Sequence, residues 1–333
     1  MKHRWLIIIG ILIAVALLMW IFVFGVSLDQ PGEFFNKGHN AVWIGHKWVA
    51  QDMSDEEIYK LVASLKAHEI DMVFMHVGPI NADGTIEPGV YKFALDFLDR
   101  ARSFSGGIKY QAWLGQLRGK INLNDEKVRH NLTNQVMVLS EFVSFDGIHF
   151  DIEPVWDGDS DFIKLLEESK AAMAEGKKLS VALPELIPEV LIWYSQNLRD
   201  YRNYNSEVNY RNVAKYADQI VAMIYDTSIK SPWLYKWLVS EQTIRLSQLL
   251  EGKELFIGLP AYDYFDDEFI DQEVAKDWFD SEIENVENGL FGVIKGLNNS
   301  RSEEENFAGV AIYPYWQIDD AEWAIYDELW LNK

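Results

Sequence analysis

The stretch Phe145 to Val155 reads FDGIHFDIEPV and holds the residues best suited to chemistry. Side chains alternate along a strand, so His149, Asp151 and Glu153 share one face, and Ile148, Phe150 and Ile152 share the other. Two carboxyl groups held that close raise each other's affinity for a proton. One can then stay protonated near neutral pH and act as a general acid while the other is ionised. Exposed carboxylates are usually only solvated surface groups, but the apolar flanks and consistent parity favour a site here. His46, His76 and His149, with Asp151 or Glu153, offer a second chemistry, a metal site in a metal-dependent polysaccharide deacetylase. No H-x-H or H-E-x-x-H pair anchors such a site, so neither a metal nor any other cofactor is expected.

These residues need a frame. Short β-branched or aromatic runs alternate with amphipathic stretches, the pattern of βαβ units. The strand candidates are residues 41–46, 71–77, 110–115, 147–153, 179–183, 219–225, 255–260 and 309–313. Helices are expected over 54–68, 91–102, 126–143, 160–175, 208–216, 234–250, within 272–296, and over 321–331. Ser54 and Glu57 form the S-x-x-E capping box at the first helix start. Eight such units point to an α/β fold, a (β/α)8 TIM barrel, whose chemistry sits at the C-terminal ends of the strands. A doubly wound sheet is the alternative, but no glycine-rich dinucleotide loop follows the first strand.

The chain resembles glycoside hydrolase family 18, the chitinase-like barrels. Asp146-Gly147-Ile148-His149-Phe150-Asp151-Ile152-Glu153 is similar to that family's D-G-x-D-x-D-x-E signature, with His149 in place of the middle Asp. Met223-Ile224-Tyr225-Asp226 resembles its M-x-Y-D motif, and Gly258-Leu259-Pro260-Ala261-Tyr262 its G-L-P-x-Y stretch. Tyr313 stands where the family carries a floor tryptophan, with Trp316 three residues on. The resemblance implies that Glu153 is the general acid and that Asp151 and Tyr225 hold the substrate's 2-acetamido group. It implies that Asp226 contacts the sugar and Met223 lines the pocket. His149 is expected at the substrate too, donating to Asp151. About 45 residues separate the seventh and eighth strand candidates, too few for the α+β insertion of some family members, so a more open cleft is expected.

Aromatics follow the strand candidates at Trp113, Trp156, Trp233, Tyr262, Tyr264 and Trp316. Flat sugar faces pack on such rings, so these positions suit a glycan cleft, with Trp113, Tyr262, Tyr313 and Trp316 as its expected lining. The formal charge of −22 repels phosphate backbones, so no nucleic-acid partner is expected. It also disfavours a strongly acidic polymer as substrate. With no cysteine, thiol nucleophiles, disulfides and cysteine metal sites are excluded.

Residues 1–28 begin with Lys2 and Arg4 and continue in an uncharged apolar run from Trp5 to Val26. Roughly 20 apolar residues suffice to span a bilayer as one helix, and the basic residues should stay on the cytoplasmic side. The expected organisation is a transmembrane signal-anchor over 1–28, a short linker over 29–40, and a single barrel domain over 41–333 outside the cytoplasm. A signal peptide cleaved after Ser27, giving a secreted protein, is the alternative. The functional expectation is a membrane-anchored hydrolase of β-linked N-acetylhexosamine glycans, with a glycan-binding barrel of impaired catalysis as the alternative.

Overall fold

The computed structural model describes residues 35–187, 205–263 and 279–333. The apolar run of residues 1–28, most of the expected linker, and Tyr264 lie outside the described residues. Among the described residues no helix is long and apolar enough to cross a membrane.

Eight parallel strands close a barrel in sequence order, and the eighth pairs back onto the first. They are β1 Asn40–Ile44, β2 Ile70–His76, β3 Lys109–Leu117, β4 Gly147–Glu153, β5 Lys178–Pro184, β6 Gln219–Met223, β7 Glu254–Pro260 and β8 Phe307–Tyr313. The helices that follow them in turn are α1 Asp55–Ala67, α2 Ala94–Phe104, α3 Glu126–Met137, α4 Ser160–Ala172, α5 Glu207–Ala214, α6 Pro232–Leu249, α7 Val286–Leu297 and α8 Asp320–Tyr326. The fold is thus the (β/α)8 barrel.

Local chemistry explains the element ends. At α1, Ser54 Oγ accepts from the Glu57 N–H at 3.3 Å, and the Ser54 N–H donates to Glu57 Oε2 at 2.9 Å, so the capping box is complete. The helix expected over 126–143 keeps its α form only to Met137, and a wider π turn over Val138–Phe142 follows. β6 ends at Met223, two residues short of expectation, because the chain turns there. Asp226 and Ser228 both take left-handed backbone conformations, with φ of 58° and 61°.

Two apolar layers surround the strands. Outside, Ile148, Phe150 and Ile152 pack with Phe97, Leu132 and Leu165 beneath the helices. Each fully buried side chain of this size contributes about 1.5–3 kcal/mol. Inside, Trp43, Phe74, Val221, Phe256 and Ala311 fill the barrel, so it is a packed core and not a pore. Below this plug, at the N-terminal ends of the strands, Gln111 donates to Gln219. Gln219 in turn donates to Glu254, which pairs with Lys178. A cavity of about 620 Å³ opens at that end, lined in part by Asp71, Lys109, Gln111, Lys178 and Glu254. The plug lies between it and the carboxylate pair at the opposite mouth.

Candidate active site

β4 delivers the carboxyl groups. Its register pairs Gly115 of β3 with Asp151, and Leu117 with Glu153. Ile148, Phe150 and Ile152 are fully buried in the outer layer, which forces His149, Asp151 and Glu153 inward. Asp151 is only 9% exposed, whereas Glu153, at the strand's end, opens to solvent.

The two carboxyl groups share a proton. Although Glu153 opens to solvent at the strand's end, its carboxyl sits in poorly hydrated surroundings that raise it well above the usual range, and the neighbouring charges of Asp151 and Asp226 raise it further. Burial raises Asp151 too, while hydrogen bonds from Glu153 and Trp113 pull it back. Glu153 is therefore the protonated member and donates to Asp151. Asp151 Oδ2 accepts from Trp113 Nε1 at 2.9 Å, and its Oδ1 is buried.

The turn after β6 brings the next pair. Burial, and then the charges of Glu153 and Asp151, push the Tyr225 hydroxyl well above the ordinary tyrosine range, so it remains a donor. Gly258 of β7 leaves room beside its ring, and a Cβ there would lie 3.4 Å from Tyr225 Cε1. The Asp226 carboxylate accepts from the Tyr262 hydroxyl at 2.6 Å. Burial holds Asp226 at about 6 despite that bond. Met223 ends β6 next to this pair and is 6% exposed.

Tyr313 is the hub of the aromatic floor. Its ring lies 5.9 Å from Tyr225 and nearly parallel to it, and edge-on to Trp113, Tyr262 and Trp316 at 6.2, 5.8 and 5.8 Å. Trp316 is 40% exposed and offers a face to solvent. Trp113 is nearly buried, and its polar edge is spent on Asp151. Trp156 packs against the guanidinium of Arg118, 4.6 Å away.

The expectation for His149 is corrected. It makes no bond to Asp151 and cannot reach a substrate, because its ring is fully buried one layer down, stacked 3.9 Å from Phe74. Trp43 Nε1 donates to its Nε2 at 3.1 Å, which makes Nε2 an acceptor and places the proton on Nδ1. Nδ1 then donates to Ser180 Oγ at 2.8 Å. Burial lowers this imidazole to about 3, so it is neutral at any working pH. Both nitrogens are spent, which also removes His149 as a metal ligand. Among the described residues no group of three His, Asp or Glu is arranged to hold a metal ion. His46 and His76 do meet at the mouth, with ring centroids 5.9 Å apart.

Two acidic residues and the two hydrogen-bond partners of His149 escaped the sequence reading. Burial raises Glu185, just beyond β5, to about 7, with Asp226 adding to the effect. Glu284 is fully buried and accepts from the Thr227 N–H and hydroxyl, the latter at 2.8 Å. Trp43 and Ser180, which fix His149, carry no sequence signal except their inward parity on β1 and β5.

No sequence-family model and no curated protein matches the chain. Solved structures do. The spore cortex-lytic enzyme SleL of Bacillus megaterium aligns at a TM-score of 0.59 with 15% identity, covering 93% of this chain and 80% of that one. SleL of Bacillus cereus aligns at 0.58 with 13% identity, covering 87% and 74%. A chitinase of Chromobacterium violaceum aligns at 0.58 with 15% identity, covering 89% and 99%. At such identities the likeness is one of fold.

Proposed function

We propose that this protein is a glycoside hydrolase that cleaves β-linked N-acetylhexosamine glycans with retention, using the substrate's own acetamido group as nucleophile. The observation that carries the reading is the convergence of Glu153, Asp151, Tyr225 and Asp226 at the C-terminal mouth, with the shared proton resting on Glu153. Only Glu153 of the proton-sharing pair is open to solvent, as an acid that must reach a glycosidic oxygen has to be. The names of the fold neighbours, chitinases and cortex-lytic enzymes, agree with a polysaccharide substrate.

In this reading Glu153 gives its proton to the leaving oxygen as the acetamido carbonyl oxygen attacks the anomeric carbon. The glycosidic bond breaks and an oxazolinium ring forms. The Asp151 carboxylate accepts the ring N–H and balances its charge, and the Tyr225 hydroxyl donates to the former carbonyl oxygen. Glu153, now ionised, takes a proton from water as that water opens the ring. Substrate-assisted hydrolases dispense with a second flanking carboxylate at the anomeric carbon in this way. Asp226, fixed by Tyr262, binds the sugar, and the exposed face of Trp316 offers stacking.

The reading also places the barrel outside the cytoplasm, held by the apolar run that follows Lys2 and Arg4. A basic start before some 20 apolar residues supports that orientation.

Glu153→Gln tests the assignment. A lost general acid costs about 10²–10⁴ in kcat, while oligosaccharide affinity should persist. Wild-type protein that binds an N-acetylated oligosaccharide yet never cleaves one would instead identify a glycan-binding barrel.

A further inference from the structure

Asp151 has two oxygens with different fates. Oδ2 is held by the Trp113 indole N–H at 2.9 Å. Oδ1 is buried and takes no hydrogen bond from the rest of the wall. The residue directly below on the same strand, His149, faces away into the Trp43 and Ser180 hydrogen bonds. The signature that β4 resembles has an acid at that position, and here the position gives Asp151 nothing.

The donor comes from the neighbouring strand. In the β3–β4 register Trp113 lies opposite His149 and Gly115 opposite Asp151, so the indole reaches one step up the wall. Gly115 leaves the space, since a Cβ there would lie 3.2 Å from Trp113 Nε1. His76 of β2 packs against the indole at 4.7 Å between ring centroids, and Tyr313 meets it edge-on at 6.2 Å. The ring is clamped in a pose that aims its only polar atom at the carboxylate.

We infer that Trp113 is the positioning residue of this site, a fixed donor that locks Asp151 in one orientation and takes the partner's role that residue 149 has given up. The inference rests on the hydrolase reading for its catalytic consequence, though not for the bond itself. An indole N–H donates and does not titrate. A carboxyl partner would exchange a proton with Asp151 and join its titration, whereas Trp113 leaves Asp151 to share a proton with Glu153 alone. With Oδ2 tied to the indole, Oδ1 is the oxygen left for the acetamido N–H. Asp151 therefore needs no rotation between the free and substrate-bound states. The other titratable groups around the pair are Tyr225 and Asp226 after β6, Tyr313 on β8, His76 on β2 and, one layer down, His149. Burial keeps His76 near 4 and His149 near 3, so neither competes for the proton near neutral pH.

Trp113→Phe keeps the packed ring and removes the donor. Carbon-13 NMR of the side-chain carboxyls, assigned with Asp151→Asn, should show Asp151 titrating at higher pH in Trp113→Phe than in wild type. On an N-acetylated oligosaccharide, kcat should fall about tenfold or more with KM within about threefold, and the acid limb of kcat should move up in pH. An unchanged Asp151 titration with an unchanged acid limb overturns the inference, and a merely structural role would move neither. If Trp113→Phe does not fold, Gly115→Ala, which crowds Nε1 with one methyl group, is measured in the same way and judged by the same outcomes. Absence of turnover in wild type would defeat the hydrolase reading, while the NMR titration would still decide the role of Trp113.

Discussion

Trp43 Nε1 donates to His149 Nε2 at 3.1 Å, in the interior of the barrel and out of reach of solvent. That bond converts the least expected residue of the β4 motif from a candidate site group into a neutral core group. Placing an acid there should therefore damage the protein. In His149→Asp the shorter carboxyl faces the Phe74 ring, with the Trp43 indole N–H and the Ser180 hydroxyl set at the distance of an imidazole. A buried carboxyl without adequate partners costs on the order of 3 kcal/mol or more. Urea or thermal unfolding should show that loss, with no gain in turnover over wild type.

Asp151 should be separable from Glu153 by choice of substrate. Asp151→Asn cannot balance the charge of an oxazolinium, so kcat on N-acetylated oligosaccharides should drop by about 10² or more. Chains of free glucosamine have no acetamido nucleophile and should resist wild type altogether. Rapid cleavage of fully de-N-acetylated chains would refute the substrate-assisted route.

The Tyr262 hydroxyl holds Asp226 at 2.6 Å, and this bond opposes the upward pull of burial that leaves the group near 6. In Tyr262→Phe the carboxyl should rise further and be partly protonated near neutral pH. We expect KM to increase several-fold at pH 6–7, with a smaller increase as the pH is raised and Asp226 ionises again. A KM ratio that does not vary with pH would show that Asp226 does not act through its charge.

Glu284 makes stability depend on pH. Burial lifts its carboxyl from 4.5 to about 8. Between those values the unfolded chain releases the proton and the folded chain keeps it, so the folded state binds more protons and stability declines as pH rises. Glu185 and Asp226, at about 7 and about 6, act with the same sign. The melting temperature should therefore fall between pH 5 and pH 8. Glu284→Gln, which keeps the shape without the ionisation, should make that fall visibly shallower in calorimetry.

Much of this was legible in the residues alone, for physical reasons. The two-residue period of a strand dictated that Asp151 and Glu153 face the side opposite Ile148, Phe150 and Ile152. The alternation of strand and helix patterns required parallel strands with crossover helices, and the capping box at Ser54 marked a helix start to the residue. Such features depend on near neighbours in the chain, and local sterics and hydrogen bonding decide them.

The fate of His149 was not legible, because it depends on Trp43, Phe74 and Ser180, which belong to three other strands. The donor to Asp151 was equally hidden. Only the β3–β4 register brings the Trp113 indole beside that carboxylate and leaves Gly115 to make room. The left-handed turn that ends β6 early and the buried Glu284 behind it were likewise set by long-range contacts. Sequence by itself determined which groups could carry the chemistry and which face they share. Tertiary structure decided which partner each group has, because a partner's proton, charge and burial come from strands distant in the chain and adjacent only once the barrel has closed.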